Sequence, residues 1–174
     1  MIFTETVIKG AFIIEPEPLP DERGFFAGTW SAEEFLAHGL NSRIAQCNIS
    51  FNKQRGTVRG MHYQTKPHEE AKLVRCTAGS IFDVIVDLRA DSQTKRKWVG
   101  VELTARNRRM LYIAEGFAHG YQTLEDDTEV AYQMSEYYHP ESARGLRWND
   151  PALGIEWPLA VSVISKRDTE FDLL

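Results

Sequence analysis

Apolar residues in this chain fall into short runs in which every second position tends to be apolar, and turn-forming residues break the runs apart. That pattern predicts strands at Ile44–Phe51, Val58–Gln64, Lys72–Thr77, Ser80–Arg89, Trp98–Leu103, Met110–Ala114, Ala118–Glu125 and Glu129–Tyr138. An earlier strand, Val7–Glu15, ends at Pro16. Asn52, Gly56, Ala78-Gly79, Ala90-Asp91-Ser92 and Arg106-Asn107 mark the turns between them. Pro16, Pro18 and Pro20 make the following stretch irregular, and the chain extends again over Phe25–Trp30. Only Ser31–His38 reads as a helix, with Ser31 and Glu34 as a capping box and Gly39 as its stop. Many short strands with regular turns imply a sandwich, jelly roll or barrel. Polar residues on what should be inward faces favour a barrel with a site in its mouth.

Alternation sorts those faces. In Ser80–Arg89, Ile81, Asp83, Ile85 and Asp87 share one side, while Phe82, Val84, Val86 and Leu88 share the other. The second set reads as a packed core or interface, and the first turns Asp83 toward the lumen. In Glu129–Tyr138, Val130, Tyr132, Met134, Glu136 and Tyr138 share a face. One conflict arises. In a regular strand Arg59 and His62 point to opposite sides, so both serve one site only if Gly60 marks a bulge or the strand begins after it.

Composition narrows the class. The chain has 174 residues, 43% hydrophobic and 26% charged, which fits one soluble domain spanning 1–174 with a sizeable core. No apolar run reaches the roughly 18–20 residues of a membrane span. Glu5, Lys9, Glu15 and Glu17 break up the first residues, which do not read as a signal peptide. Cys47 and Cys76 show no metal spacing, and a reducing cytoplasm is the expected compartment. A net charge of −5 argues against bulk nucleic-acid binding. Yet Lys53–Arg75 holds six Lys/Arg against two acids, while Glu125–Asp150 holds seven acids against two arginines. The basic locus suits a compact anion such as a diphosphate; a solvated charged face accounts for it equally.

The chemistry centres on Arg59-Gly60-Met61-His62-Tyr63-Gln64 and on Lys72 in the next strand. An imidazole exchanges protons near neutrality, a half-buried lysine faces water or a site, and a glycine lets backbone approach a ligand. His119 is a second candidate, flanked by Gly116 and Gly120. His38 belongs to a helix C-terminus, and His68 and His139 to prolyl turns at the surface. A metal would have to draw on His62, His68, Glu69, Glu70 and His119, a set without close His-x-His pairing and interrupted by Pro67. Dinucleotide, phosphate-loop and nucleophile-elbow motifs are absent. What remains is a kit for proton transfer: a base, a cation for a developing oxyanion, and phenols as acids. Taken singly, Tyr132 also fits as a core tyrosine and Asp168 as a tail charge.

Together the segments resemble the dTDP-4-dehydrorhamnose 3,5-epimerase family over nearly the whole chain. The resemblance is carried by Asp21-Glu22-Arg23-Gly24-Phe25-Phe26, Gln46-Cys47-Asn48-Ile49-Ser50, Arg59–Gln64, Lys72-Leu73-Val74, Asp83–Arg89, Gly116-Phe117-Ala118-His119-Gly120, Trp148-Asn149-Asp150-Pro151 and Trp157-Pro158. It implies a cupin-type jelly-roll barrel with one short N-terminal helix, room for a short helical turn near the C-terminus, and no metal or organic cofactor. The implied substrate is a nucleotide-linked 4-keto-6-deoxyglucose. His62 then matches the base, Lys72 the cation at the C4 oxygen, Tyr132 the acid, and Asp168 the group that orients His62. Arg23, Phe26, Gln46, Asn48, Arg59, His119, Tyr138 and Arg167 match the substrate-binding set, with Asp83 supporting the network around His119. The resemblance also implies a homodimer that exchanges N-terminal strands, bringing Arg23 and Phe26 to the neighbouring subunit. Gly28 and Ala143 stand where the family usually has Glu, and Ala114 where Pro is common. Those departures bear on specificity, leaving open a CDP-linked substrate or epimerisation at C3 alone. From other classes, a non-catalytic sugar-nucleotide binding module and a metal-dependent cupin enzyme also fit the residues.

Overall fold

A computed structural model describes residues 1–174. The chain begins with β1 (Ile2–Glu5), β2 (Ala11–Glu15), β3 (Leu19–Asp21), β4 (Gly24–Phe26) and α1 (Ala32–Ala37). It continues with β5 (Gln46–Asn52), β6 (Thr57–Gln64), β7 (Lys72–Ala78), β8 (Ser80–Asp87), β9 (Trp98–Thr104), β10 (Met110–Ile113), β11 (Phe117–Thr123) and β12 (Thr128–Met134). The last elements are β13 (Ala143–Gly145), β14 (Val163–Ile164) and α2 (Lys166–Thr169). One sheet has the order β1-β2-β10-β7-β12-β5 and the other β13-β6-β11-β8-β9, while β3 and β4 form a separate hairpin. β14 runs parallel to β6 along the edge that it shares with β13. The two sheets close on one core, with Val74, Leu111 and Val130 from the first meeting Ile81, Ile85 and Leu103 from the second. The result is an all-β jelly roll, as the alternation predicts, and no helix is long and apolar enough to cross a membrane.

The outer faces explain why some strands look apolar on both sides. Ile81 and Ile85 of β8 point into the central core, whereas Val84 and Val86 point outward and are covered by Leu146, Leu153 and Trp157 of the C-terminal segment. Full burial of each such side chain contributes about 1.5–3 kcal/mol. On the other sheet, α1 lays Phe35 over Ile14, Leu73, Met110 and Tyr112. The Ser31 hydroxyl accepts from the Glu34 amide, and Gly39 leaves the helix at φ +71°, the stop that the sequence predicts. Nothing in the chain covers the outer side of β5, where Ile49 is 69% and Phe51 51% exposed.

Several boundaries differ from the sequence reading. Val7–Gly10 is a turn rather than the start of a strand: the Thr6 hydroxyl folds back onto Ile8, and Gly10 takes φ +90°. That turn joins β1, which the alternation did not single out, to β2. The extension after Arg23 ends at Phe26. β12 stops at Met134, because Ser135 leaves the ladder to exchange hydrogen bonds with Ala71, with the Ala71 amide donating to its hydroxyl.

The conflict over Arg59 and His62 is settled by a bulge. His119 pairs with His62 and Tyr121 with Arg59, so Gly60 and Met61 together stand opposite the single residue Gly120. The extra residue restores Arg59 and His62 to one side. Gly60 adopts φ +136°, and a Cβ there would lie 2.5 Å from the Gly120 Cα. Backbone rather than a movable side chain fills that space. Gly60→Ala is therefore expected to cost about 3 kcal/mol, from overpacking and a left-handed conformation that Ala resists. Urea denaturation measures it; a loss below about 1 kcal/mol would mean that the bulge relaxes without strain.

Candidate active site

The bulge opens onto a cavity of about 300 Å³ at one end of the barrel. β5 contributes Gln46, Asn48 and Ser50; β6 contributes Arg59, His62, Tyr63 and Gln64; and β7, with the residues just before it, contributes Lys72 and Glu70. β11 adds His119 and Tyr121, and β12 adds Tyr132 and Met134. Tyr138, Ala143, Arg144 and Arg167 complete the rim. The alternation of β5 places its even-numbered residues inward.

Two imidazoles are each held from behind by a carboxylate. His62 Nε2 lies 2.7 Å from Asp168 Oδ1. Asp168 is carried by α2, whose Ser165 cap accepts from the Asp168 amide. Its other oxygen accepts from the Gly60 amide at 3.3 Å, so the bulge and His62 share one anchor. Burial alone would raise the Asp168 pKa, but the bonds from His62 and Gly60 hold it below the ordinary carboxylate value. With one ring nitrogen committed to Asp168, the second is free to take a proton. His119 Nε2 lies 2.7 Å from Asp83 Oδ1. Asp83 is fully buried, and its second oxygen has no hydrogen-bond partner. It does not line the cavity; it stands behind His119, in the supporting place that the resemblance implies.

The remaining groups surround these two histidines. Arg59 donates to the Asn52 side chain at 2.7 Å and to the Phe51 carbonyl, which fixes its guanidinium along the wall. Lys72 Nζ lies 2.9 Å from Glu70, both side chains being about one-tenth exposed. Burial pushes the Tyr132 phenol above its ordinary pKa, with Arg59 pulling it down and Glu70 adding to the rise. Tyr132 therefore holds its proton at neutral pH. Tyr121, deeper in the wall, shares its hydroxyl with Ser50 and is also raised by burial.

Of the sequence-predicted set, His62, Lys72, Tyr132, Gln46, Asn48, Arg59, His119, Tyr138 and Arg167 all line this one cavity, with Asp168 and Asp83 directly behind it. Arg23 and Phe26 do not; they sit on the β3–β4 hairpin, Arg23 paired with Asp21 and Phe26 72% exposed. Tyr138 reaches the cavity from the loop after β12 rather than from the strand. Sequence reading passed over Ser50, Tyr121 and Arg144 as site residues, and weighed Glu70 only as a metal ligand. A signal for Glu70 was available: two residues before Lys72 in extended chain, it shares the lysine's face.

The metal-ligand set weighed from the sequence does not come together, since His62 and His119 are each turned onto a carboxylate. Instead His68 stacks on His139 at 3.5 Å with the rings 7° from parallel, beside Glu141. Both are half-buried rather than free surface residues. Glu141 Oε1 lies 3.1 Å from His139 Nδ1 and 3.9 Å from His68 Nε2. His38 caps α1 as expected, with Nδ1 2.8 Å from the Glu34 carbonyl and its ring on Phe3.

The family model described as dTDP-4-dehydrorhamnose 3,5-epimerase matches residues 5–174. The chain belongs to this family of isomerases. A curated relative, the dTDP-4-dehydrorhamnose 3,5-epimerase of Methanothermobacter thermautotrophicus, is 46% identical over 169 residues, covering 95% of this chain and 90% of its own. The Bacillus anthracis epimerase, solved with TDP and PPi bound, is 39% identical with a TM-score of 0.95, covering 99% of both chains. The Legionella pneumophila epimerase, solved with dTDP-4-keto-L-rhamnose, is 40% identical with a TM-score of 0.92, covering 99% of this chain and 92% of that one. The cupin-type jelly roll expected from the motifs is thus the fold of the family.

A carboxyl whose folded pKa is depressed binds its proton more readily in the unfolded chain. Asp168 therefore adds stability above about pH 4, and that stability is lost as pH falls through the folded pKa. Asp168→Asn is expected to lower the urea midpoint at pH 7, and to lower it by less at a pH well below the ordinary carboxylate value of about 4. An equal gap at both pH values would show that the carboxylate charge is not what Asp168 contributes.

Proposed function

We propose that this protein inverts C3 and C5 of a dTDP-linked 4-keto-6-deoxyglucose through an enolate, in deoxysugar biosynthesis such as that of dTDP-L-rhamnose. The observation that carries the reading is the grouping of His62, Lys72 and Tyr132 around one cavity, with His62 backed by Asp168 at 2.7 Å. The free nitrogen of His62 removes the hydrogen next to the ketone as a proton. The electron pair left on carbon forms the carbon–carbon double bond, and the carbonyl pair moves to the C4 oxygen. The Lys72 ammonium stabilises that oxyanion. Tyr132, kept protonated by burial, returns a proton to carbon from the opposite face as the double bond collapses back to the ketone. One centre is inverted; imidazolium and phenolate then exchange protons with solvent, and a second cycle treats the other carbon. The ketone supplies the acidity, so no hydride acceptor enters the balance.

Arg59, Arg144 and Arg167 at the cavity suit the diphosphate, with His119 beside them, and exposed Tyr138 at the rim offers a ring face for the base. The relatives solved with TDP and with dTDP-4-keto-L-rhamnose support a dTDP-linked ligand. Small Ala143 lines the same rim, so nucleotide choice is tested directly rather than carried over.

Enzyme in D2O with dTDP-4-keto-6-deoxyglucose is expected to place deuterium at both C3 and C5, and His62→Ala to slow this by on the order of 10²–10⁴ without changing the fold. No exchange in the parent would sink the proposal, exchange at C3 alone would reduce it to a 3-epimerase, and faster exchange with the CDP-sugar would change the nucleotide.

A homodimer is part of the proposal. Ile49 and Phe51 on β5, with Leu19 and Phe26 on the β3–β4 hairpin, expose large apolar side chains to solvent. Pairing two copies there would bury them and give Arg23 and Phe26 a neighbouring cavity to enter. Sedimentation velocity is expected to show a dimer, and Ile49→Lys to shift it toward monomer; a monomeric parent would remove Arg23 and Phe26 from the site.

A further inference from the structure

Among all the residues that line the cavity, Glu70 is the one carboxylate, set against the cations Arg59, Lys72, Arg144 and Arg167. A pocket for a diphosphate sugar should exclude negative charge, since a carboxylate repels the ligand and is costly to desolvate. Glu70 is nonetheless there, its side chain 9% exposed, with an oxygen 2.9 Å from Lys72 Nζ, and Lys72 is itself 11% exposed. We infer that Glu70 is a positioning residue for the reaction, holding the Lys72 ammonium aimed at the oxygen on which the enolate develops. The inference rests on the enolate reading above.

The geometry accounts for both the presence of the acid and its place. Lys72 is the first residue of β7, where its backbone neighbours are Ile113 of β10 and Met134 of β12, neither able to compensate a charge. Across the cavity stand His62 and Arg59 of β6, His119 and Tyr121 of β11, and Tyr132 of β12; the rim adds Tyr63, Tyr138, Arg144 and Arg167. None of these is an anion at neutral pH. A four-carbon side chain in that setting has no counter-charge apart from Glu70 and would swing away from the other cations. An ammonium has three donors, so the ion pair with Glu70 leaves donors for substrate. Glu70 also lies close enough to Tyr132 to favour its protonated form. One carboxylate thus holds the oxyanion's cation in place and biases the acid to keep its proton, without touching the reacting carbons. The alternative, that Glu70 merely pins the loop before β7, predicts a different response.

The experiment compares the parent with Glu70→Gln, which keeps the shape and an acceptor oxygen but removes the charge. The reading is the rate of deuterium entry at C3 and C5 at saturating dTDP-4-keto-6-deoxyglucose, together with the KM, dTDP affinity and the urea midpoint. The expected result is a fall in maximal rate of roughly 10- to 100-fold, smaller than the loss of an oxyanion donor itself, with dTDP affinity unchanged or tighter. In a Lys72→Met background, Glu70→Gln should add little further loss, and Glu70→Asp should recover part of the rate. An undiminished maximal rate in Glu70→Gln would overturn the inference. So would equal losses in the presence and absence of Lys72, or a loss that follows the urea midpoint alone. If the parent itself exchanges no deuterium, it is the enolate reading that fails, which keeps the two failures apart.

Discussion

The hydrogen bonds to the Asp168 carboxylate are what the active end of this barrel depends on. One oxygen takes His62, the other the amide of Gly60 at the bulge in β6. Without the bulge, Arg59 and His62 would face opposite sides of the sheet. Without the carboxylate, the bulge amide and the imidazole would each lose a buried partner, an omission that costs more than an ordinary hydrogen bond contributes. Gly120 completes the arrangement, because β6 and β11 approach so closely that neither glycine leaves room for a Cβ. A backbone irregularity, a short helix at the far end of the chain and the His62 imidazole are therefore one mechanical unit.

Charge in this cavity is arranged in layers. Carboxylates stand behind the histidines, buried and aimed at them, while cations and neutral donors face the space where an anionic ligand would lie. Low exposure strengthens each of these interactions and makes any unmatched charge expensive. That contrast is why the single forward-facing carboxylate at Glu70 stands out from the acids at the protein surface.

Much of this was legible in the sequence, and the reason is periodicity. Alternation gave the strands, the two faces of β8 and the need for a break at Gly60, because a period of two leaves few alternatives once one face is known. The motifs gave the cavity residues because most lie on strands that alternation had already oriented. What escaped was one local turn and several contacts far apart in sequence. β1 and the turn at Val7–Gly10 depend on a hydroxyl folding back at Thr6, and the end of β12 depends on Ser135 meeting Ala71. β13 and β14 are short and borrow their ladder from β6. The stack of His68 on His139 joins two loops whose separate sequences each read as surface turns. Parity points Asp83 inward, but the 2.7 Å contact that sets it behind His119 is seen only in the folded chain.

β5 has no neutral side. Within its seven residues, Gln46, Asn48 and Ser50 form cavity wall, while Ile49 and Phe51 form bare apolar surface. The carbonyl of Phe51 also receives the Arg59 guanidinium. Whatever rests against the outside of this strand therefore damps the motion of the wall inside it and steadies the arginine across from it. In this protein, surface burial and ligand geometry are two faces of a single sheet edge, and neither can drift without moving the other.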